Sequence, residues 1–329
     1  MAKSRILIMS LGGTITMTPG ADGTISPNLS AEDLLRAVPR IDAHAEIEAV
    51  SALKLPGASL TLDHLLEVSR QIETRLSQDV DGVVVVQGTD TIEETAFVLD
   101  LLVRSDKPVV VVGAMRGAAA PGADGPANIL SAVLTAASPD AHGLGTLVVL
   151  NDQIHAARFV QKQHTALPSA FASPLAGPLG LVAEHKAIFY ARSKRVNALP
   201  SAPSGSDAPV ALITVGLGDD GRLLKALPEL GYRGAVIAAM GVGHVPEWLV
   251  PVLEDLARTM PVLLSTRITT GPSFSATYGF SGSETDLLAR GLVSAGNLPA
   301  LKARLLLALL LRTGAAREEI ERSVGDYGR

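Results

Sequence analysis

The chain contains no cysteine, which excludes disulfide scaffolds, thiolate metal sites and cysteine nucleophiles. Either a reducing or an oxidising compartment tolerates that zero, so it does not choose between them. Aromatic residues make up only 3% of the sequence, and the cores must therefore be aliphatic. No lysine or arginine run exceeds two residues, and the formal net charge is −5. A phosphate footprint needs a basic patch, so no nucleic acid is expected as partner. No apolar run approaches the ~18 residues of a transmembrane helix, and no membrane partner is expected. A secretory leader needs an apolar core of roughly 7–15 residues and a removable segment. Here the apolar stretch behind Met1-Ala2-Lys3-Ser4-Arg5 is short and runs straight into a glycine loop. The expectation is a soluble, cytoplasmic protein.

What the chain has is aliphatic bulk: 329 residues, of which 47% are hydrophobic, with a mean hydropathy of +0.31. That length fits two α/β domains. Short, uninterrupted apolar runs at 6–11, 82–87, 108–113 and 146–150 read as strands buried on both faces. Helical patterns at 62–76, 92–103 and 128–137 lie between them, and Thr91 with Glu94 resembles a capping box at the start of the second. The alternation predicts a doubly wound, mainly parallel sheet. From Arg192 to Pro209 the chain turns rich in Pro, Ser and Gly, the composition of a linker. The pattern restarts with strands at 210–215, 234–239 and 261–266 and helices near 219–228, 247–259, 298–312 and 315–323. The reading is an α/β protein with an N-terminal domain at 1–191, a linker at 192–209 and a smaller C-terminal α/β domain at 210–329.

Two glycine-threonine loops directly follow strand-like runs: Gly12-Gly13-Thr14-Ile15 and Gly88-Thr89-Asp90-Thr91. In open parallel sheets the ligand crevice lies beyond the carboxyl ends of the strands, so hydroxyls on neighbouring strands would face one pocket. Thr14 can be a simple turn residue, and Thr89 with Asp90 can be a helix N-cap pair. Lys162, in the segment after the run at 146–150, can be a solvated surface lysine. Together they also make a nucleophile with its activating groups. A threonine hydroxyl attacks only once a base or relay takes its proton, and a desolvated lysine can serve as a neutral base.

Thr14, Thr89, Asp90 and Lys162, in that order, resemble the L-asparaginase family of the bacterial asparaginase/glutaminase type. The likeness continues through Gly113-Ala114-Met115-Arg116, Ala123-Asp124-Gly125-Pro126 with Asn128, Ser173-Pro174 and Lys302-Ala303-Arg304. It implies hydrolysis of the side-chain amide of L-asparagine by a threonine nucleophile, with possible side activity on glutamine and no cofactor. By resemblance Thr14, Thr89, Asp90 and Lys162 are the catalytic residues. Gly13, Ser59, Gly88, Thr89, Asp90 and Ala114 line the substrate site, and Glu284 is the acid that some members supply from a partner subunit. The resemblance further implies a homotetramer built from intimate dimers.

Three positions depart from the family pattern. Leu60 stands where a glutamine often helps hold the substrate's α-amino group, leaving Asp90 more responsible for it. Residues 15–30 contain no tyrosine, although the family's loop after the first threonine usually carries one; Tyr278 is the candidate replacement. His244 stands where an asparagine is common, and Ser283 is the alternative to Glu284 if the register slips by one. His155, His164 and His244 read as packing or hydrogen-bonded structural histidines, and no metal site is expected. Two rival functions keep the same fold. One is an amino-acid sensor with little turnover. The other is an ammonia-supplying amidotransferase subunit, which calls for an extra N-terminal domain and a basic face for tRNA.

Overall fold

The structure, a computed structural model, describes residues 3–13, 17–19, 25–27, 35–200 and 207–329. The chain divides into two compact units, Met1–Ala198 and Leu199–Arg329.

In the first unit the parallel strands are β1 (Arg5–Ser10), β4 (Glu46–Ser51), β5 (Gly82–Val86), β6 (Val109–Val112) and β7 (Thr146–Leu150). The short hairpin β2 (Met17–Pro19) and β3 (Ile25–Pro27) is a separate ladder. The parallel strands are ordered β4-β1-β5-β6-β7, with helices α1 (Leu62–Gln78), α2 (Ile92–Leu102) and α3 (Gly125–Ala136) connecting them. Both faces are covered, which is why Val83 to Val86 and Val109 to Val112 are unbroken valine runs, all wholly buried. Ile8, Val84, Val110, Val112 and Val149 pack with Ile129 and Val133 of α3 in one core. Each such buried side chain contributes roughly 1.5–3 kcal/mol.

The sheet does not end as a purely parallel one. Asn151 and Asp152 take φ values of 50° and 60°, the left-handed pair that a two-residue hairpin needs. They turn β7 back into antiparallel β8 (Gln153–Ala156), pairing Leu150 with Gln153. A two-residue ladder, β9 (Gln161–Lys162) with β10 (Phe171–Ala172), follows. Then β11 (Gly180–Ala183) and β12 (Lys186–Phe189) extend the main sheet antiparallel beyond β8.

One sequence expectation needs correction. Thr91 precedes α2 but makes no side-chain cap bond, because its hydroxyl donates to Gly57 O at 3.0 Å instead. The capping box belongs to α1, where Thr61 accepts from His64 N and His64 accepts from Thr61 N. Residues 192–198, linker-like in composition, are also fastened to the first unit. Arg192 donates to Asp140 O and His142 O, and Arg195 reaches the carbonyls of Val103 and Ser105.

In the second unit β13 (Val210–Thr214), β14 (Gly234–Ala239), β15 (Val262–Thr266) and β16 (Val293–Ser294) form a parallel sheet in that order. Around it lie α4 (Arg222–Ala226), α5 (Val250–Thr259), α6 (Glu284–Ala289), α7 (Ala300–Arg312) and α8 (Arg317–Tyr327). Its core joins Ile237 and Leu264 of the sheet to Leu253 and Leu256 of α5 and Leu287 of α6.

Candidate active site

Strand order fixes where a site forms. The order β4-β1-β5-β6-β7 is the 2-1-3-4-5 winding, whose chain reverses direction at the first strand. Such sheets bind ligands beyond the carboxyl ends of the two strands at that reversal. Those strands are β1 and β5, and the two glycine-threonine loops leave from them. Leu11 N donates to Val86 O at 2.8 Å, carrying the ladder into the loops. Gly12 and Gly13 then take φ values of 106° and 95°, a region that side chains strain to enter. A Cβ on Gly13 would lie 2.0 Å from Gly88 N, so the loops touch backbone to backbone. Thr14 itself, and residues 15–30 apart from the β2–β3 backbone, lie outside the described residues.

Thr89, Asp90 and Thr91 form a single 3₁₀ turn leading into α2. Thr89 is buried and Asp90 exposed. Lys162 Nζ donates to Thr89 Oγ1 at 2.9 Å and stands 3.6 Å from Asp90 Oδ1. Three residues expected to work together are thus in one cluster, although 73 positions separate Lys162 from Thr89. Lys162 comes from β9, and its backbone N–H donates to Glu93 Oε1 at 3.1 Å. Only 20% of its side chain is exposed. The partial positive charge at the α2 N-terminus favours negative charge developing nearby.

Ser59 closes a second 3₁₀ turn, Gly57–Ser59, on the same edge. Thr91 Oγ1 bonds Gly57 O at 3.0 Å, and Gln87 Nε2 reaches both Thr91 Oγ1 and Gly88 O at 3.2 Å. These bonds hold the Ser59 turn to the Thr89 turn and leave the Ser59 side chain exposed. Leu60 is half-buried beside it. Beyond β6, the loop with buried Ala114 is braced by α3: Asp124 accepts from Met115 N and Arg116 N, and Asn128 donates to Gly113 O. Sequence reasoning does not single out Gln87, Thr91 and Glu93 as residues that shape the site. The visible signal there is Thr-x-x-Glu, and it points to helix capping.

In the second unit Glu284 begins α6 and is wholly buried. Its Oε1 accepts from Thr277 N and Tyr278 N at 2.9 and 2.7 Å, and its Oε2 lies 3.1 Å from His244 Nε2. Burial pushes the carboxyl's pKa up, but the amides of Tyr278 and Thr277, then its own and the His244 ring, outweigh it and hold the group below its usual range. In the chain itself Glu284 therefore turns inward rather than presenting its carboxylate. It supports a loop whose exposed face is aromatic. His244 meets Tyr278 and Phe280 edge-on at 4.9 and 5.0 Å, and Tyr278 is 43% exposed. Ser283 caps α6 by accepting from Asp286 N.

Among the described residues, no cluster of His, Asp or Glu is arranged to hold a metal ion. Among those same residues, no helix is long and apolar enough to cross a membrane.

Comparison with known proteins gives the same picture along the whole chain. Residues 5–195 match the asparaginase N-terminal domain, and residues 209–323 match the glutaminase/asparaginase C-terminal domain. The L-asparaginase of Bacillus licheniformis is 33% identical over 94% of this chain and 96% of its own. The glutaminase-asparaginase of Acinetobacter glutaminasificans is 33% identical over 99% of this chain and 100% of its own. A crystal structure described as a probable cytoplasmic L-asparaginase from Campylobacter jejuni superposes with a TM-score of 0.86 at 33% identity, covering 98% of this chain and 99% of that one. By domain content, overall fold and full-length similarity, the chain belongs to the asparaginase family.

Proposed function

We propose that the protein is an amidohydrolase that converts L-asparagine and water to L-aspartate and ammonia, with glutamine as a secondary substrate. The observation that carries this reading is the contact of Lys162 Nζ with Thr89 Oγ1 at 2.9 Å, beside Asp90. Thr14 attacks the side-chain amide carbon, and backbone N–H groups around Gly13 and Thr89 stabilise the oxyanion, in general the largest single catalytic contribution. Ammonia leaves, and water activated through Thr89 and Lys162 cleaves the acyl-enzyme. Ser59 takes the substrate's α-carboxylate and Asp90 its α-ammonium, a larger share than usual because Leu60 offers no polar group. The steps need only protein groups, the substrate and water.

The second unit supplies the rest of the site from a neighbouring subunit in a homotetramer built from intimate dimers. Support comes from its exposed aromatic loop, where Glu284 buttresses His244 and Tyr278. We place the enzyme in the cytoplasm, in line with the Campylobacter relative's description. Ammonia release measured side by side with asparagine and glutamine tests the activity. No release from either, with the protein folded and binding asparagine, would replace this reading with that of a sensor.

A further inference from the structure

Lys162 sits on a very short ladder. Its strand pairs with β10 over only two residues, Lys162 with Phe171 and Gln161 with Ala172, and this ladder is separate from the main sheet. Two-stranded ladders are marginal by themselves, and a lysine side chain gives up substantial rotamer freedom when fixed. Something else must keep Nζ at hydrogen-bond distance from Thr89.

Two side-chain bonds do so from opposite ends of the ladder. At one end, Glu93 Oε1 accepts from Lys162 N at 3.1 Å. Glu93 lies in the first turn of α2, the helix that begins directly after the Thr89 turn, so Lys162 and Thr89 are referenced to one rigid element. At the other end, His155 Nδ1 lies 3.0 Å from the hydroxyl of Ser173, the residue immediately after β10. His155 belongs to β8 of the main sheet, opposite Val148, and is wholly buried. Among the described residues, its Nε2 has no hydrogen-bond partner. A buried imidazole that makes one bond packs no better than an aliphatic side chain and leaves a polar atom unsatisfied. A core selected only for packing would not keep it there. That bond ties the sheet to the far end of the ladder, beside the backbone bond from Val160 N to Ala156 O that leads into β9.

We infer that His155 and Ser173, together with Glu93, are positioning residues that mount Lys162 against Thr89. The inference rests on the proposed role of Lys162 as base. The mount acts on turnover rather than on substrate capture, since none of the three side chains lies on the Ser59 and Asp90 turns assigned to the substrate's α-groups.

The test uses the full chain and ammonia release from asparagine. Ser173→Ala should lower kcat by roughly 10- to 100-fold, the cost of a small misplacement of a catalytic group, with KM nearly unchanged. Ser173→Thr, which keeps a hydroxyl, should restore most of that loss. His155→Leu should lower kcat similarly while unfolding at the same temperature or higher, a split that a purely structural role would not give. Glu93→Gln retains an acceptor and should exceed Glu93→Ala in kcat. Lys162→Met is measured alongside. If Lys162→Met is inactive while Ser173→Ala keeps wild-type kcat, the mount is wrong and the base assignment stands. If Lys162→Met stays active, both fall.

Discussion

A Cβ built on Gly13 would lie 2.0 Å from the amide nitrogen of Gly88 and 2.3 Å from its Cα. The loops leaving β1 and β5 are therefore spaced by the absence of a side chain at Gly13. Gly13→Ala should force the loops apart. Left-handed strain alone costs about 1–3 kcal/mol, and displacing the catalytic groups should reduce kcat/KM by on the order of 100-fold. At Gly117 an added Cβ would meet nothing within 4 Å; Gly117→Ala should change stability by less than about 0.5 kcal/mol. Thermal unfolding and ammonia release on the two variants check this. An active Gly13→Ala enzyme would show that the two loops need not touch.

Lys162 and Thr89 give a second expectation. Thr89→Val and Lys162→Met should each lower turnover by about 10²–10⁴-fold, the range for losing a general acid–base group. The folded state should survive, because neither side chain belongs to the aliphatic core. Lys162→Arg should fail as well, since a guanidinium stays protonated and cannot accept the proton. Steady-state kinetics over a broad pH range would expose the contrary case. An arginine variant with normal kcat would mean that the site needs only positive charge.

The elements legible in the sequence are those whose burial is local in origin. Val83 to Val86 and Val109 to Val112 announce strands because both faces are covered, and the aliphatic periodicity of Leu62 to Leu76 announces α1. What stays hidden depends on distant partners. The pair β9 and β10 exists only through each other, and two residues carry no periodicity. The segment β8 follows a hairpin signalled by Asn151-Asp152, but Gln153-Ile154-His155-Ala156 alternates too briefly to be read as a strand. Glu284 opens a helix inside a Gly- and Ser-rich stretch that reads as loop. Thr91 misleads for the same reason: the Thr-x-x-Glu spacing is visible in sequence, whereas Gly57 O, the actual acceptor, is 34 residues away. Thr89, Asp90 and Lys162 are identified through family resemblance, not through any spacing that physics alone would single out.

His155 should leave a mark on stability against pH. Burial lowers its pKa from the usual 6.5 to about 4. Between those values the unfolded chain binds a proton that the folded chain refuses, so acidification favours unfolding. The penalty is absent above pH ~6.5, grows as pH falls, and is complete below pH ~4, where both states are protonated. Its full size is on the order of 3 kcal/mol. Denaturant unfolding of the wild type should show this slope, and His155→Leu should flatten it across that window. Equal slopes in the two proteins would mean that the ring is charged in the fold.

The aromatic loop of the second unit gives the sharpest test of a shared site. Tyr278 is 43% exposed and stacks edge-on against His244, so Tyr278→Ala removes contact surface without opening the core. Its stability cost should stay below about 1 kcal/mol, as for substitutions away from buried groups. Yet its turnover should fall by at least roughly 10-fold, a loss of about 1.4 kcal/mol in transition-state stabilisation, if this loop completes a neighbour's site. Thr14→Ala should be inactive for a different reason. In a symmetric oligomer each variant lacks one half of the site, so mixed assemblies should contain some sites with an intact Thr14 from one protomer and an intact Tyr278 from the other. Activity should then return in part as subunits exchange, with a ceiling set by the fraction of mixed interfaces. Glu284→Gln, which keeps an acceptor for the Thr277 and Tyr278 amides, should retain the loop and most of the activity if Glu284 acts only as its support. No recovery after exchange is confirmed by mass, or full activity in a protein that light scattering shows to be a monomer, would place the whole site within one chain.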